Sequence, residues 1–340
     1  MNRMLSSSIR YSRDLAADFA SGWNRFWFTP ADPVNLGAIR IVTGLVLLWV
    51  HLTTLPDLMH FIGPHALLDQ QAIREMSALP FDPTDAGAGP LRSGDQSIWF
   101  YIQQPSLIWT LHGVFLIAAL CFTLGWFSRI ASVIVWIGHV SYVQRGGIII
   151  YGMDSILSML TLYLMLGPSG ASLSLDRFLR RRKMDDAGLQ TAPPPCVPAS
   201  IVLRLIQIHL CIIYLASGLA KLQGATWWNG TAVYRAIMMP EVAPVDMGWM
   251  GMHDWMWILI STSGCIFTLI TELSFPIFIW HHRLKPLVLA SVILMQTGIA
   301  IILSLGSFQA AMFAATLAFF PADALRRLLD APRCRVASAK

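Results

Sequence analysis

The sequence has little charge. Only 13% of its 340 residues are Asp, Glu, Lys or Arg, about half the share found in an ordinary soluble domain. Hydrophobic residues make up 55% of the chain, the mean hydropathy is +0.58, and the apolar residues come in long runs. This composition excludes a disordered chain, a secreted disulfide scaffold and a water-soluble enzyme of normal composition. It predicts an all-α fold, a polytopic bundle of membrane helices.

Paired cysteines and nucleotide-binding loops are also missing. The five cysteines form no CxxC pair, and three of them lie in apolar runs, where a thiol acts as a small core residue. A structural disulfide or a zinc site is therefore not expected. The sequence contains no GxGxxG, no P-loop and no internal repeat. His112, His139 and His209 have no partner at metal-ligand spacing, so we predict no metal site.

Long apolar runs give the number of membrane spans. A spanning helix needs about 20 apolar residues, and eight segments are candidates, the last of them short. The third and fourth are separated only by a predicted tight turn at residues 144–147. The eight segments are residues 36–55, 106–127, 130–147, 148–167, 200–222, 256–280, 285–305 and 307–321.

Basic residues predict the orientation of these spans. With the N-terminus inside, 17 of the 24 Lys and Arg residues fall in cytoplasmic segments and only five in outer ones. This bias favours eight spans with both termini in the cytoplasm. A seven-span alternative would place the basic C-terminal tail outside. The net charge of +5 therefore reflects topology, and we expect the lipid bilayer rather than nucleic acid as a partner.

The chain divides into three parts. Residues 1–34 form an N-terminal amphipathic segment, residues 35–321 the transmembrane domain, and residues 322–340 a basic cytoplasmic tail. In the first part, apolar residues recur at helical spacing, which predicts a helix on the membrane surface or one packed on the cytoplasmic end of the bundle. These residues are Leu15, Phe19, Trp23 and Phe26.

The fifth span carries a polar stripe. Ionisable residues within a span are costly and mark candidate functional sites. At 100° per residue, the polar residues of this span fall within about 100° of one another, and they must face protein or water. Ser217 and Gly218 allow a second helix or a flat ligand to approach closely. The stripe comprises Arg204, Gln207, Cys211, Tyr214, Gly218 and Lys221.

Lys221 has two interpretations. It is either a lysine that snorkels to the outer membrane surface or a lysine in an apolar pocket whose neutral amine acts as a base. The residues alone favour the first.

Other polar and aromatic residues of the spans have their own interpretations. For Glu272, in the middle of the sixth span, we expect an ion pair or a hydrogen bond between helices, while Arg40 and Arg204 are expected to snorkel or pair. Trp227 belongs to a Trp-rich outer segment, typical of an aromatic belt or of the mouth of an apolar ligand site.

Five segments, taken in order, carry a family resemblance. They are NLGAIRIVTGLVLLW (35–49), LIAALCFTLGWFSRIASVIVW (116–136), YGMDSILSMLTLYLMLGPSGASLSLD (151–176), IYLASGLAKLQGATWWNG (213–230) and TELSFPIFIW (271–280). The second includes Gly125 and Arg129, and the fourth follows a Tyr…Gly…Lys…Trp…Gly pattern. Together they resemble the HTTM family, the transmembrane domain shared with vitamin K-dependent γ-glutamyl carboxylase, and specifically its short bacterial members.

The resemblance implies an activity and a site. In the carboxylase, a lysine in this span is taken as the base that deprotonates vitamin K hydroquinone. Oxygenation then yields a strong base that abstracts a glutamate γ-proton, and carbon dioxide adds. Lys221 matches that lysine, and its predicted place near the outer end of the fifth span agrees with a reaction at the outer membrane face. The implied cofactor is reduced vitamin K or another quinone, with a peptide substrate or partner protein and a bacterial inner-membrane location. The implied ligand-binding residues are Tyr214, Ser217, Gly218, Trp227 and Glu272.

Two departures keep other functions open. The stretch RGGIIIYG (145–152) lacks the histidine that the carboxylase carries before its fourth span, and the sequence ends about twenty residues after its last predicted span, without the carboxylase's large C-terminal domain. A non-catalytic membrane partner or maturation factor is therefore the alternative to an enzyme. A transporter is less favoured, because broken spans in two matching halves are not found.

Overall fold

The computed structural model describes residues 2–67, 97–146, 151–184, 193–239 and 254–327. Most of these residues are helical. They contain no β-strand, and their β-type pairing is an isolated bridge between Ala31 and Cys196. The predicted all-α fold is therefore confirmed.

Thirteen α-helices have defined bounds in the described ranges, residues 322–327 are also helical, and short 3₁₀ turns lie at Leu55–Asp57, Ile98–Phe100 and Leu317–Phe319. They are α1 (Asn2–Phe28), α2 (Val34–Thr53), α3 (Leu58–Ile62), α4 (Pro105–Leu124), α5 (Ser128–Gly146), α6 (Gly152–Leu166), α7 (Leu175–Met184), α8 (Val197–Leu222), α9 (Ala225–Trp228), α10 (Ala232–Ile237), α11 (Asp254–Phe278), α12 (Lys285–Ile302) and α13 (Gly306–Thr316).

Each predicted span contains one of these helices. Five of them, α2, α4, α8, α11 and α12, are long and apolar enough to cross a membrane. The remaining three are α5, with 19 residues, and the shorter helices α6 and α13, with 15 and 11. The protein is thus a bundle of membrane helices, and the count of eight spans stays a prediction.

The helices pack as two connected groups. In one, α8 packs on α11, α11 on α12, and α12 on α13; in the other, α2 packs on α4, α4 on α5, and α5 on α6. Helix α13 joins them, because it also contacts α2 and α6. A continuous apolar core runs through the junction and includes Leu47, Leu160, Leu210 and Phe275.

Helix α8 has its polar side inside and its apolar side outside. Tyr214 and Gln207 are buried, whereas Ile212 is 56% exposed and Leu219 is also exposed. Tyr214 receives a hydrogen bond from Gln296 of α12, and Gln207 donates one to the Ala318 carbonyl. The prediction that the polar stripe faces protein is confirmed. An apolar outer surface of this kind suits lipid rather than water.

Arg40 of α2 behaves differently from the sequence expectation. It is fully buried, so it does not snorkel, and it forms no close ion pair with the residues that the structure describes. Its guanidinium donates hydrogen bonds to the backbone carbonyls of Ser169, Ser172 and Leu173 in the segment after α6. A planar group with five donors suits this role, because several carbonyls of a turn converge on it. Arg40 therefore fixes the loop that leads into α7.

The first turn of α7, just after this loop, contacts the start of α5. The Asp176 carboxylate accepts hydrogen bonds from the backbone amides of Phe127 and Ser128, at 3.0 and 3.1 Å, and from the Ser128 hydroxyl at 3.0 Å. Partial burial opposes ionisation of Asp176, but these hydrogen bonds outweigh it and lower the pKa of the carboxyl group. Gly125, with a φ of 71°, makes the preceding turn, which a residue with a side chain would strain.

Helix α1 packs on the bundle at its C-terminal end, which agrees with the second of the two alternatives predicted for it. Leu15, Phe19 and Trp23 are exposed, and a position on the membrane surface stays a prediction. At its end, Phe26 packs on Trp280, and the Arg204 guanidinium lies 4.5 Å from the Phe26 ring centroid. The last turn of α1 is thus anchored to the bundle.

The predicted turn at residues 144–147 is only partly correct. Helix α5 continues through Gly146, and residues 147–150 lie outside the described ranges. Arg145 is buried rather than exposed in a turn, with its guanidinium 5.4 Å from the Phe100 ring centroid. The 3₁₀ turn Ile98–Phe100 packs against α5 and provides this aromatic face, which sequence spacing could not show.

Candidate functional site

A buried ion pair joins α8 to α11. Lys221 Nζ lies 2.9 Å from both carboxylate oxygens of Glu272 and donates a third hydrogen bond to Ser217 Oγ at 2.6 Å. The Ser217 hydroxyl in turn donates to Glu272 Oε1 at 3.3 Å. The Lys221 side chain is 22% exposed and that of Glu272 only 7%. Of the two alternatives predicted for Glu272, an ion pair or a hydrogen bond between helices, the structure shows the ion pair.

Helical periodicity brings the three groups together. Ser217 and Lys221 are four residues apart, so they project from the same face of α8. Gly218 lies between them on the side that faces α11. A Cβ atom at this position would be 2.8 Å from Leu273 Cδ2 and 3.4 Å from Glu272 Cβ. The absent side chain therefore lets the two helices approach closely enough for the ion pair to form.

The pair lies deep along α11. Glu272 is eighteen residues after Asp254, the first residue of that helix, and six before Phe278, the last, or about 27 and 9 Å along the axis. Exposed apolar side chains such as Ile258, Ile270 and Ile277 run along α11 on both sides of this level. Lys221 is the second-last residue of α8, but α8 ends beside the apolar part of α11. A lysine that snorkels to the outer surface does not fit this placement.

Trp227 lies close to Lys221. The short helix α9 follows α8 after one turn, in which the Gly224 amide donates to the Lys221 carbonyl at 3.0 Å. This turn places the Trp227 ring with its centroid 5.3 Å from Lys221 Nζ, within the range of a cation–π contact. Helix α10 then packs on α11, where the Ser261 hydroxyl donates to the Gly230 carbonyl.

Two of the predicted ligand-binding residues lie in the packing between helices, and their role in ligand binding stays a prediction. Tyr214 is buried, its hydroxyl accepts a hydrogen bond from Gln296 at 2.7 Å, and its ring centroid lies 4.4 Å from that of Phe275. The Leu273 side chain occupies the space where a side chain at position 218 would lie. Of the set predicted from sequence, Ser217, Trp227 and Glu272 therefore gather around Lys221, whereas Tyr214 and Gly218 hold the helices that carry them.

A second polar cluster lies between α2, α4 and α5. The ring centroid of His51 is 6.0 Å from that of His112, 6.1 Å from His139 and 4.5 Å from Tyr142. His112 Nδ1 and the Tyr142 hydroxyl share a hydrogen bond of 2.6 Å. Sequence reasoning missed this cluster, because its histidines come from three helices and share no spacing. Within the ranges that the structure describes, no group of three or more His, Cys, Asp or Glu residues is arranged to hold a metal.

The all-α fold, the five long apolar helices and a charged pair inside the bundle define an integral membrane protein. Residues 98–323, about two thirds of the chain, match the family model for the HTTM domain, and the chain belongs to this family. The match includes Lys221, Glu272 and Trp227 and begins after α2. No curated protein and no solved structure matches the chain significantly.

Proposed function

We propose that this HTTM membrane protein is an enzyme in which Lys221, with Glu272 as its proton partner, deprotonates a hydroxyl group of a quinone-like, apolar ligand. Reduced vitamin K or another quinol is the ligand class. The observation that carries the proposal is the Lys221–Glu272 pair at 2.9 Å inside the bundle. Ionisable groups at such a position are costly, and in membrane proteins they commonly mark proton or substrate pathways.

The residues around the pair fit a flat aromatic ligand. The Trp227 ring supplies an aromatic wall, on which a second ring can stack. The 22% of the Lys221 side chain that stays open leaves an approach to the amine on this side. When bound, the ligand supplies a weakly acidic aromatic hydroxyl group.

Proton transfer within the pair is what makes Lys221 a base. In the ion pair, Lys221 Nζ holds a proton that it must release before it can accept another. Glu272 is the acceptor, with both oxygens at 2.9 Å. Apolar surroundings disfavour charged groups, so they make the neutral amine and the neutral acid more favourable relative to the ion pair. Ser217 Oγ, at 2.6 Å, then orients the neutral amine, which takes the hydroxyl proton while Glu272 keeps the first.

Orientation and location are part of the same proposal. The excess of basic residues in the predicted inner segments supports a multi-pass protein of a bacterial inner membrane with both termini in the cytoplasm. In this orientation Lys221 lies near the outer end of α8, whereas Glu272 lies about 9 Å from the cytoplasmic end of α11, so the proposed pair lies within the membrane. A quinol dissolved in the bilayer reaches the pair from the membrane, and a peptide or partner protein would act at the protein surface.

Three variants in lipid nanodiscs test the base. The measurement is consumption of reduced vitamin K under oxygen, followed by chromatography, together with the yield of folded protein. We expect Lys221→Ala and Lys221→Arg to lower the rate by about 100-fold or more, the usual contribution of a positioned base. Arg keeps the charge that pairs with Glu272 but does not release its proton. Lys285→Ala, a lysine at another helix end, is the control. Activity that survives both changes at Lys221 would refute the base.

A non-catalytic membrane partner or maturation factor is the second candidate. All three donors of the Lys221 ammonium are used by Ser217 and Glu272, an arrangement that also suits a link between α8 and α11. On this hypothesis, Lys221→Arg would keep both the fold and the biological role. The quinone content of purified protein, measured by mass spectrometry, separates the candidates, because only the enzyme is expected to retain a quinone that Trp227→Leu releases.

A further inference from the structure

A cavity of about 330 Å³ opens beside the histidine cluster. It lies where α2 ends, α5 ends and α6 begins, so it is built from helices other than those that carry Lys221 and Glu272. Its volume falls within the range of small-molecule sites. Apolar side chains such as Leu58, Ile62 and Met153 form most of its wall, and His51, His139, Tyr142 and Asp154 supply the polar atoms.

One residue that lines this cavity has a buried polar atom without a partner among the described residues. His139 is 2% exposed, and its Nε2 lies 3.2 Å from the backbone carbonyl of Asp154. A carbonyl only accepts, so Nε2 carries the hydrogen, and Nδ1 of the neutral ring is an acceptor. Among the residues that the structure describes, Nδ1 has no hydrogen-bond partner. A buried acceptor without a donor is costly, and a bound molecule with a hydroxyl group would satisfy it.

The neighbouring groups limit the charge of that molecule. The Asp154 carboxylate, which accepts from the Tyr151 amide at 3.1 Å, also lines the cavity and repels an anion. A second charged imidazole would repel the first, since His51 and His139 are 6.1 Å apart, so neutral rings are favoured. The aromatic rings of His51 and Tyr142 provide faces for a planar group.

The mouth of the cavity lies at an apolar surface. Trp49 and Tyr151 both line the cavity and are exposed, and amphipathic rings of this kind sit at the boundary between lipid and water. Ser307, at the start of α13, shares a hydrogen bond of 3.1 Å with the Tyr151 hydroxyl. A ligand would therefore enter from the membrane boundary, with its apolar body along these rings.

We infer that this cavity is a binding site for a small neutral amphiphile with a hydroxyl group on an aromatic ring, whose O–H donates to His139 Nδ1. The site is separate from the proposed proton-transfer pair and does not depend on it. Binding at this site involves no covalent step.

Matched bromoarenes test the site in purified full-length protein in nanodiscs. Bromine quenches tryptophan fluorescence, and Trp49 lines the cavity. We expect saturable quenching by 4-bromophenol, with an affinity about five- to tenfold higher than that of 4-bromoanisole, which lacks the O–H donor. His139→Leu should remove this difference, whereas His209→Leu, outside the cavity, should keep it. Trp49→Phe should lose the saturable signal.

Ser307→Phe blocks the mouth without adding a tryptophan, and it should abolish saturable quenching even if His139→Leu folds poorly. Equal affinities of the phenol and the anisole in wild-type protein would overturn the inference, as would tighter binding of 4-bromobenzylammonium than of the phenol. Unchanged binding in Ser307→Phe would also contradict it. Reduced vitamin K turnover should be unaffected by Ser307→Phe, so failure here is distinguishable from failure of the Lys221 proposal.

Discussion

At the scale of single residues, Lys221 and Glu272 each reduce the free-energy cost of placing the other's charge inside the bundle. Either charge alone inside the bundle would be unpaired in apolar surroundings, where a lost partner costs far more than the pair contributes. Ser217 completes the set by accepting from Lys221 and donating to Glu272. The pair thus constrains both what the site can do chemically and which variants can fold.

A first prediction follows from this dependence. Lys221→Met leaves the Glu272 carboxylate buried and unpaired, and we expect it to lower the free energy of unfolding by about 3–5 kcal/mol. The double variant Lys221→Met/Glu272→Gln removes both charges and should recover most of that loss. Unfolding by SDS titration measures both. A double variant no more stable than the single one would contradict the ion pair.

Gly218 gives a second prediction at this scale. In Gly218→Ala the new Cβ would lie 2.8 Å from Leu273 Cδ2, so α8 and α11 must separate slightly, at a cost of about 1–3 kcal/mol. Gly298→Ala is the matched control, because nothing lies within 4 Å of a Cβ there. The control should be neutral or stabilising, since alanine favours a helix. Equal thermal midpoints of the two variants would show that Gly218 is not a contact point.

At the scale of elements, the loop after α6 depends on a single side chain of α2. Arg40 donates to three carbonyls of that loop, and Asp176, just beyond the loop, holds the first residues of α5. Three helices therefore meet at this end of the bundle through backbone hydrogen bonds rather than through apolar contact alone.

Arg40→Met should loosen that loop. It leaves the three carbonyls without their donor, and we expect a loss of about 2–4 kcal/mol, with faster proteolysis between residues 167 and 175. Arg40→Lys should recover only part of it, since one ammonium cannot replace a planar fork. Arg129→Met, which removes one exposed hydrogen bond of 3.3 Å, serves as the control. Proteolysis equal in Arg40→Met and in the control would contradict the role of Arg40.

Sequence reasoning succeeded where the helix period decides the outcome. It placed a helix in each predicted span, turned the polar face of α8 inward and assigned Glu272 to an ion pair. It did not predict that Lys221 is the partner, because the two residues are 51 positions apart. Three further features depend on tertiary packing, which sequence spacing does not encode. They are the level on α11 that Lys221 contacts, the histidine cluster and the contact of Gly218 with α11.

At the scale of the whole molecule, topology is the main open prediction, and a native cysteine tests it. Cys334 lies in the basic tail that the eight-span topology places in the cytoplasm. A membrane-impermeant maleimide should not label it in intact cells and should label it after permeabilisation, in a variant whose other four cysteines are replaced by alanine. Labelling in intact cells would contradict the orientation and favour seven spans.

The central claim is that Lys221 acts as a base from its own position on α8, with Glu272 as its proton partner. Exchanging the two residues, as Lys221→Glu/Glu272→Lys, tests it most directly. The swap keeps an ion pair between α8 and α11 but places the amine on α11, so its position relative to Ser217 and Trp227 changes. We predict that folded yield stays near that of the wild-type protein while turnover of reduced vitamin K falls about 100-fold or more. Turnover that survives the swap at the wild-type rate would contradict the claim.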